Sequence, residues 1–282
     1  MKWLKRIGIV LLILLIGGGI FIGRFVYQAK VGFEHYETAA HDITIPPDRP
    51  AVLVISKTTG FRHEDAIVAS GPMFQKMATN KNWFIYQTED AGIFNEDQLN
   101  QFDVVVFNNA TGTVLNSDQQ SLFKKWLESE KGFVGIHAAG DGSHYRWPWY
   151  RENIICAEFS HHPIENQFQE MQLNLLSPPD STWSLTPSWS HNDEWYIFKN
   201  HPADKGANIV YEFDGNKLDP NGNILWVKGF EKGMGAHHPV AWWKDIGQGR
   251  AFYTSIGHTG ASFSTAEFVD LVEQAIKWTG RM

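Results

Sequence analysis

The hydrophobic pattern changes character three times along the chain. From Ile7 to Gly23 (IGIVLLILLIGGGIFIG) every position is apolar or glycine, with no polar face at any helical phase. At about 1.5 Å rise per residue this run approaches the roughly 30 Å hydrocarbon core of a bilayer, and Arg24 at its far end can extend to the headgroups. The pattern predicts a membrane anchor over residues 1–27. Residues 28–49 mix charge, two histidines and Pro46-Pro47 without a sustained period, and read as a stalk.

From residue 50 onward apolar runs alternate with amphipathic ones. AVLVIS (51–56), WFIYQ (83–87), FDVVVFNN (102–109) and GFVGIHA (132–138) read as strands. Helices are expected from Glu64 to about Asn80, near 95–101, and from Ser117 to about Glu130, with Ser117 and Gln120 as a capping box. Strands apolar on both faces, alternating with helices, predict an α/β fold: a doubly wound, mainly parallel sheet in three layers. The second half is looser. Strands are expected at 171–176, 207–213, 239–243 and 250–256, then a helix from Ser264, capped with Glu267, to about Trp278. The connection SPPDSTWSLTPSW (177–189) reads as an excursion that helps form a site. Residues 50–280 are expected to be one domain.

Composition narrows the function classes. Lys2, Lys5 and Arg6 precede the apolar run, so the positive-inside rule puts the N-terminus in the cytosol and the domain outside, in a periplasm or beyond the cell. No convincing small-x-small cleavage site follows. The formal charge is -7 and no basic block follows the first few residues, which argues against a nucleic-acid partner. The single Cys156 excludes an intrachain disulfide and any paired-cysteine metal knuckle, and reads as an inert buried thiol. A metal, if bound, falls to histidines and carboxylates. Twelve tryptophans offer flat apolar faces that suit sugar rings as well as a core.

In an open parallel sheet, ligands gather outside the carboxyl ends of the strands. Arg62 and His63 follow the first strand and open a helix, whose N-terminus attracts anions or carbonyl oxygens. His137 ends the fourth strand before Ala138-Ala139-Gly140, and Asp141 and His144 follow in a loop too short to hide both. His161 and His162 are adjacent, so at most one is expected to face a pocket, and His237-His238 pose the same choice. Glu194, in Asp-Glu-Trp-Tyr, is a carboxylate beside aromatic rings, surroundings that can raise its pKa toward that of a useful base. His258 repeats the strand-end position of His137. The chain has no HExxH, no GxSxG elbow, no P-loop and no GxGxxG after a strand. Dispersed His and Glu can still hold a divalent metal such as zinc, with His63, His137, His162, Glu194 and His258 as the candidates.

Taken in order, these segments resemble the trehalose-utilisation ThuA-like family of the class I glutamine amidotransferase-like fold. The resemblance rests on Phe61-Arg62-His63, Gly135 and His137, Trp147-Pro148 with Tyr150, Phe159 with His162-Pro163, Asp193-Glu194 with Tyr196, and Gly247, Gly249, Arg250, Gly257 and His258. It implies that His162 rather than His161 belongs to the site. It also implies that His137 stands where amidotransferases of this fold carry their cysteine nucleophile, so glutamine hydrolysis should be absent. Ser177-Pro178-Pro179 departs from the His-Pro element that many members carry there. The implied function is carbohydrate processing: lyase or hydrolase chemistry on keto-sugars, by a base acting next to a carbonyl. Within it His137, Glu194 and His258 are the expected catalytic residues. Arg62, His63, Asp141, Trp147, His162 and Tyr196 are expected to bind substrate. The alternative is a membrane-tethered sugar-binding or sensing module without turnover. Self-association is left open.

Overall fold

The computed structural model describes residues 2–144, 146–224 and 227–282; Met1 of the expected anchor and Tyr145, between His144 and Trp147, lie outside the described residues. The chain begins with a single helix, α1 (Lys2–Lys30), whose stretch Trp3–Gln28 is long and apolar enough to cross a membrane and has no buried residue in its most apolar window. Then come β1 (Ala51–Ile55), α2 (Glu64–Lys81), β2 (Phe84–Thr88), α3 (Glu96–Leu99), β3 (Val104–Asn108), α4 (Ser117–Glu128), β4 (Gly132–Ile136) and a short turn of helix α5 (Pro148–Tyr150). The second half holds β5 (Phe159–His161), β6 (Phe168–Leu175), β7 (Ser188–Glu194), β8 (Ile197–Phe198), β9 (Asn208–Phe213), β10 (His238–Ile246), β11 (Gly249–Thr254) and α6 (Ala266–Thr279).

Nine strands form one sheet in the order β2-β1-β3-β4-β11-β10-β9-β6-β7. The first five of that order are mutually parallel, and β10, β9, β6 and β7 extend them antiparallel. The parallel part is the expected doubly wound core, with the chain reversing direction across the sheet between β1 and β3. Every residue of β1, β3 and β4 is buried, because α3 and α4 cover one face and α2 and α6 the other. β6 and β7 instead alternate exposed and buried positions, as strands do when one face meets water.

Several local expectations shift. The capping box of α4 lies one residue earlier than expected: Asn116 Oδ1 accepts from Asp118 N and Gln119 N, and the Gln119 side chain accepts from Asn116 N. Thr265, not Ser264, precedes α6, and it makes no side-chain cap bond. β5, β7 and β8 were not expected. The 177–189 excursion packs over α6, with Trp183 against Phe252 and Trp278 and Ser184 bonded to Gln274, and so contributes no wall to the strand-end loops.

The segment expected to be a stalk is a strap. Phe33 N donates to Thr59 O at 2.9 Å, Lys57 donates to His35 O and pairs with Glu37, and Gln119 donates to Glu37 O. Further on, His41 N donates to Gln98 Oε1 and Ile45 is buried. The strap therefore runs down the domain from the loop after β1 to the start of β1.

Candidate functional site

Four segments that end or follow strands converge at the carboxyl edge of the parallel sheet. His63 takes the N-cap position of α2 and is buried, with its Nδ1 lacking a hydrogen-bond partner among the described residues. His137 follows β4 directly with φ 48°, a left-handed conformation that a non-glycine residue adopts only when its surroundings hold it there. Two bonds do so: Tyr253 Oη donates to His137 O at 2.8 Å, and His137 Nδ1 donates to Ser255 O at 2.6 Å. Nδ1 therefore carries a proton, and Nε2 is the ring nitrogen turned toward the cavity, 3.5 Å from Glu194 Oε1.

His258 is set by a buried carboxylate. Asp193 Oδ1 accepts from His258 N (3.2 Å) and Glu194 N (2.9 Å), and Oδ2 accepts from Gly257 N (2.8 Å) and Ser262 Oγ (3.0 Å). Gly257 has φ 116°, and a Cβ there would lie 2.9 Å from Ile136 Cγ2, so the turn that aims His258 requires glycine.

Glu194 closes the group. Its Oε2 accepts from Gln167 Nε2 at 2.5 Å and lies 3.1 Å from His162 Nδ1, which leaves Oε1 for the histidines. His137 Nε2, His258 Nδ1 and Glu194 Oε1 form a triangle with edges of 3.1, 3.2 and 3.5 Å. Zinc with ligands at about 2.0–2.1 Å spaces its donors about 3.3–3.4 Å apart in a tetrahedron, so the triangle matches one face of such a site. Donor atoms of His63, His137, Glu194 and His258 all lie within 4.8 Å of one another, which puts His63 beside the triangle at a wider spacing than its three edges. Three imidazoles and one carboxylate are a donor set that suits zinc or a similar divalent ion, and the unpartnered His63 Nδ1 marks that side of the group as short of a partner.

The electrostatics follow from burial and neighbours. Burial pushes His63 down, the charges of His137 and His258 push it further, and the result is about 2, so this imidazole is neutral and able to ligate. Burial alone would raise Glu194, but hydrogen bonds from His137 and His258 outweigh it and hold the carboxyl well below the usual range. The expectation of a raised, base-like Glu194 is therefore reversed, because imidazoles rather than aromatic rings face the carboxylate. Burial would lower His258, yet its bond to Glu194 raises it on balance.

The other predicted residues divide. His162 borders the group through Glu194, is the most exposed of its histidines, and stands outside the donor quartet; His161 turns away to Pro220 O. Tyr196 is buried with its ring 4.2 Å from that of His137, so it props the imidazole and offers no open face. Trp147 lies in the core, stacked on Tyr150 and edge-on to Phe123, and cannot bind a sugar ring there. The Arg62 guanidinium is occupied by Glu64 and by both oxygens of Glu89, away from the quartet. Asp141 lines a neighbouring cavity of about 200 Å³ with His144, Arg151, Phe159 and Lys199, and burial raises its pKa. His144 is buried on Ala110 O, so that short loop does hide it. His238 is buried on Tyr196 O and His237 pairs with Glu212, both apart from the quartet. Cys156 is buried, and burial raises its thiol.

Asp193 and Gln167 support the site and were missed as such. Asp193 could have been noticed as a second acid beside Glu194, whereas nothing in the local pattern singles out Gln167. The rings exposed at the mouth are Phe61, 5.0 Å from His63, and Phe168, 5.4 Å from His258.

Fold and site together define an α/β protein with a buried imidazole-carboxylate centre at the carboxyl ends of its parallel strands. The family model described as ThuA, trehalose utilisation, matches residues 51–279, and the chain belongs to that family. Its carbohydrate-related role follows at that level. A putative ThuA-like protein from Bacteroides uniformis has a similar structure, with a TM-score of 0.66 at 18% identity over 85% of this chain and 94% of that one. Another from Parabacteroides merdae gives 0.60 at 16% identity over 82% and 90%. A cytoplasmic protein from Salmonella typhimurium LT2 shares the fold more loosely, at 0.53 and 9% identity over 82% and 97%. The comparison with curated proteins returned no match.

Proposed function

We propose that this protein is a membrane-anchored enzyme that removes a proton next to the carbonyl of an oxidised glycoside and so releases its glycosidic oxygen. The observation that carries the reading is the 3.1–3.5 Å triangle of His137, His258 and Glu194, with His63 beside it, at the ligand-binding edge of a carbohydrate-family fold. A divalent ion such as zinc held by these four residues would supply a Lewis acid for the carbonyl oxygen. The side chains do the rest. Glu194, kept ionised by its imidazole neighbours, balances positive charge in the centre. His162 Nδ1 lies 2.8 Å from Pro163 O and 3.1 Å from Glu194 Oε2, so it is the protonated nitrogen. Its Nε2 is thereby left as a base at the partly exposed rim. A proton taken from carbon beside the carbonyl leaves an enolate, whose electrons expel the glycosidic oxygen from the adjacent carbon. Phe61 and Phe168 offer apolar faces for the sugar ring.

The proposal places residues 7–27 of α1 across the membrane, with Lys2, Lys5 and Arg6 on the cytosolic side and the domain exported. The test is metal analysis of the purified full chain together with turnover of oxidised and unoxidised disaccharides. One equivalent of divalent metal is expected, with turnover of the 3-keto substrates alone, lost in His137→Ala and Glu194→Gln. Sugar binding without product would favour the non-catalytic module, and full turnover by metal-free protein would reject the metal centre.

A further inference from the structure

The joint between α1 and the domain carries information about where the site faces. As a free linker, residues 28–49 would span about 75 Å at roughly 3.3–3.6 Å per residue and let the domain tumble well clear of a bilayer. They do not act as a linker. Val31 N and Gly32 N still bond to Tyr27 O, and the next residue, Phe33, already donates to Thr59 O at 2.9 Å. Gly32 lies so close to Thr59 that a Cβ on it would approach Thr59 O to 2.8 Å, and one on Gly60 would lie 3.5 Å from Gln28 O. No slack remains between helix and domain.

The point of attachment is the carboxyl edge of the sheet. Thr59 and Gly60 belong to the loop after β1 that leads into His63, and α1 also meets the 142–144 turn beyond His137. Glu34, just past the helix, pairs with Arg146 on that same side. The residues that end the apolar stretch sit on this joint: Tyr27 packs against Phe33 with ring centroids 5.4 Å apart, and the Arg24 guanidinium lies 4.7 Å from the Phe33 ring. Arg and Tyr at the end of an apolar helix mark the membrane-water boundary. From Thr59 to His63 is four residues, at most about 14 Å, while the headgroup zone beyond the hydrocarbon is itself about 5–8 Å thick. The rim between them is apolar, with Phe61 and Phe168 each more than two-fifths exposed beside His63 and His258.

From this arrangement we infer that the mouth of the site faces the bilayer in which α1 is anchored, and that its ligand is the sugar headgroup of a lipid in that leaflet. Phe61 and Phe168 dip among the headgroups and the donor quartet lies just above them. The inference rests on α1 spanning the membrane and, for the ligand, on the site taking sugars.

The experiment uses the full chain in nanodiscs of phosphatidylethanolamine and phosphatidylglycerol. A bimane label is placed at Phe61→Cys, at Phe168→Cys, or at Gln248→Cys on the opposite edge of the sheet, and lipids carrying a nitroxide on the headgroup act as quencher. Labels at 61 and 168 are expected to be quenched at least about threefold more than the label at 248. Equal quenching at all three sites, or stronger quenching at 248, overturns the orientation whether or not the protein handles sugars. Hydrogen exchange of residues 137–144 and 159–168 then tests the ligand. Protection by glucosyl diacylglycerol in the disc, exceeding that from free maltose, is the expected result. Protection by maltose alone, or by neither, overturns the lipid assignment and leaves the orientation result standing on its own data.

Discussion

Replacing Asp193 by Asn tests how the centre is held. The carboxylate is fully buried and accepts four hydrogen bonds, two at each oxygen, from Glu194 N, His258 N, Gly257 N and Ser262 Oγ. An amide keeps the shape but turns one acceptor into a donor, so either amide orientation faces two of those donors with N–H groups. Two bonds to a charged acceptor are lost, at about 1.5–3 kcal/mol each, for a total of about 3–6 kcal/mol. That is a large share of a domain stability of about 5–15 kcal/mol. At about 2–4 °C per kcal/mol for a domain of this size, the melting temperature should fall by about 6–24 °C. The assay is thermal and urea unfolding of the detergent-solubilised full chain, with metal content measured alongside. His258 should also lose its aim, so metal retention should fall in molecules that remain folded. A loss below about 1 kcal/mol with unchanged metal content would refute the claim that Asp193 organises the 257–258 turn.

Other consequences can be checked in the same preparations. His238 is buried and neutral, with its pKa lowered by burial to about 4 despite the bond to Tyr196 O. Since the unfolded chain binds this proton more readily, its contribution is present above pH 6.5 and is lost as pH falls from 6.5 toward 4. About 3 kcal/mol is at stake, and urea titrations should show a shallower acid loss in His238→Gln. Gly257→Ala should cost about 2 kcal/mol through strain at positive φ and contact with Ile136, and should weaken metal retention measured by competition with a chelator. Tyr253→Phe leaves the His137 carbonyl without its buried donor and should cost about 1–2 kcal/mol by urea unfolding. Arg62→Ala removes only partly exposed ion pairs and should change stability by less than about 1 kcal/mol, with metal content unaffected; a lost metal would show that Arg62 reaches the centre after all.

The parallel core was legible because β1, β3 and β4 are apolar on both faces, a pattern that water-facing strands do not produce. β7 escaped notice for the opposite reason. In SWSHNDE the inward positions are Trp189, His191 and Asp193, and two of the three are polar groups satisfied by partners far away in sequence. Strand-end position was a sound guide for His63, His137 and His258, since the sheet brings those ends together regardless of intervening loops. Ring chemistry was a poor guide: Trp147 and Tyr196 look like sugar platforms in a list of residues, but tertiary packing spends both inside. The same ambiguity affected Glu194, whose pKa depends on three imidazoles that no local window contains. The strap escaped because its hold on the domain consists largely of single hydrogen bonds and ion pairs, which leave no hydrophobic period.

β11 is the last strand to be made, yet it occupies the middle of the sheet, between β4 and β10. Until residues 249–254 arrive, β4 and β10 each present an unfilled row of N–H and C=O groups, and the two halves of the sheet have nothing to join them. A chain interrupted shortly before β11 would be a pair of sticky half-sheets, prone to pair with other chains and to be degraded, not a weakened version of the whole. Damage near the C-terminal end should therefore appear as missing protein.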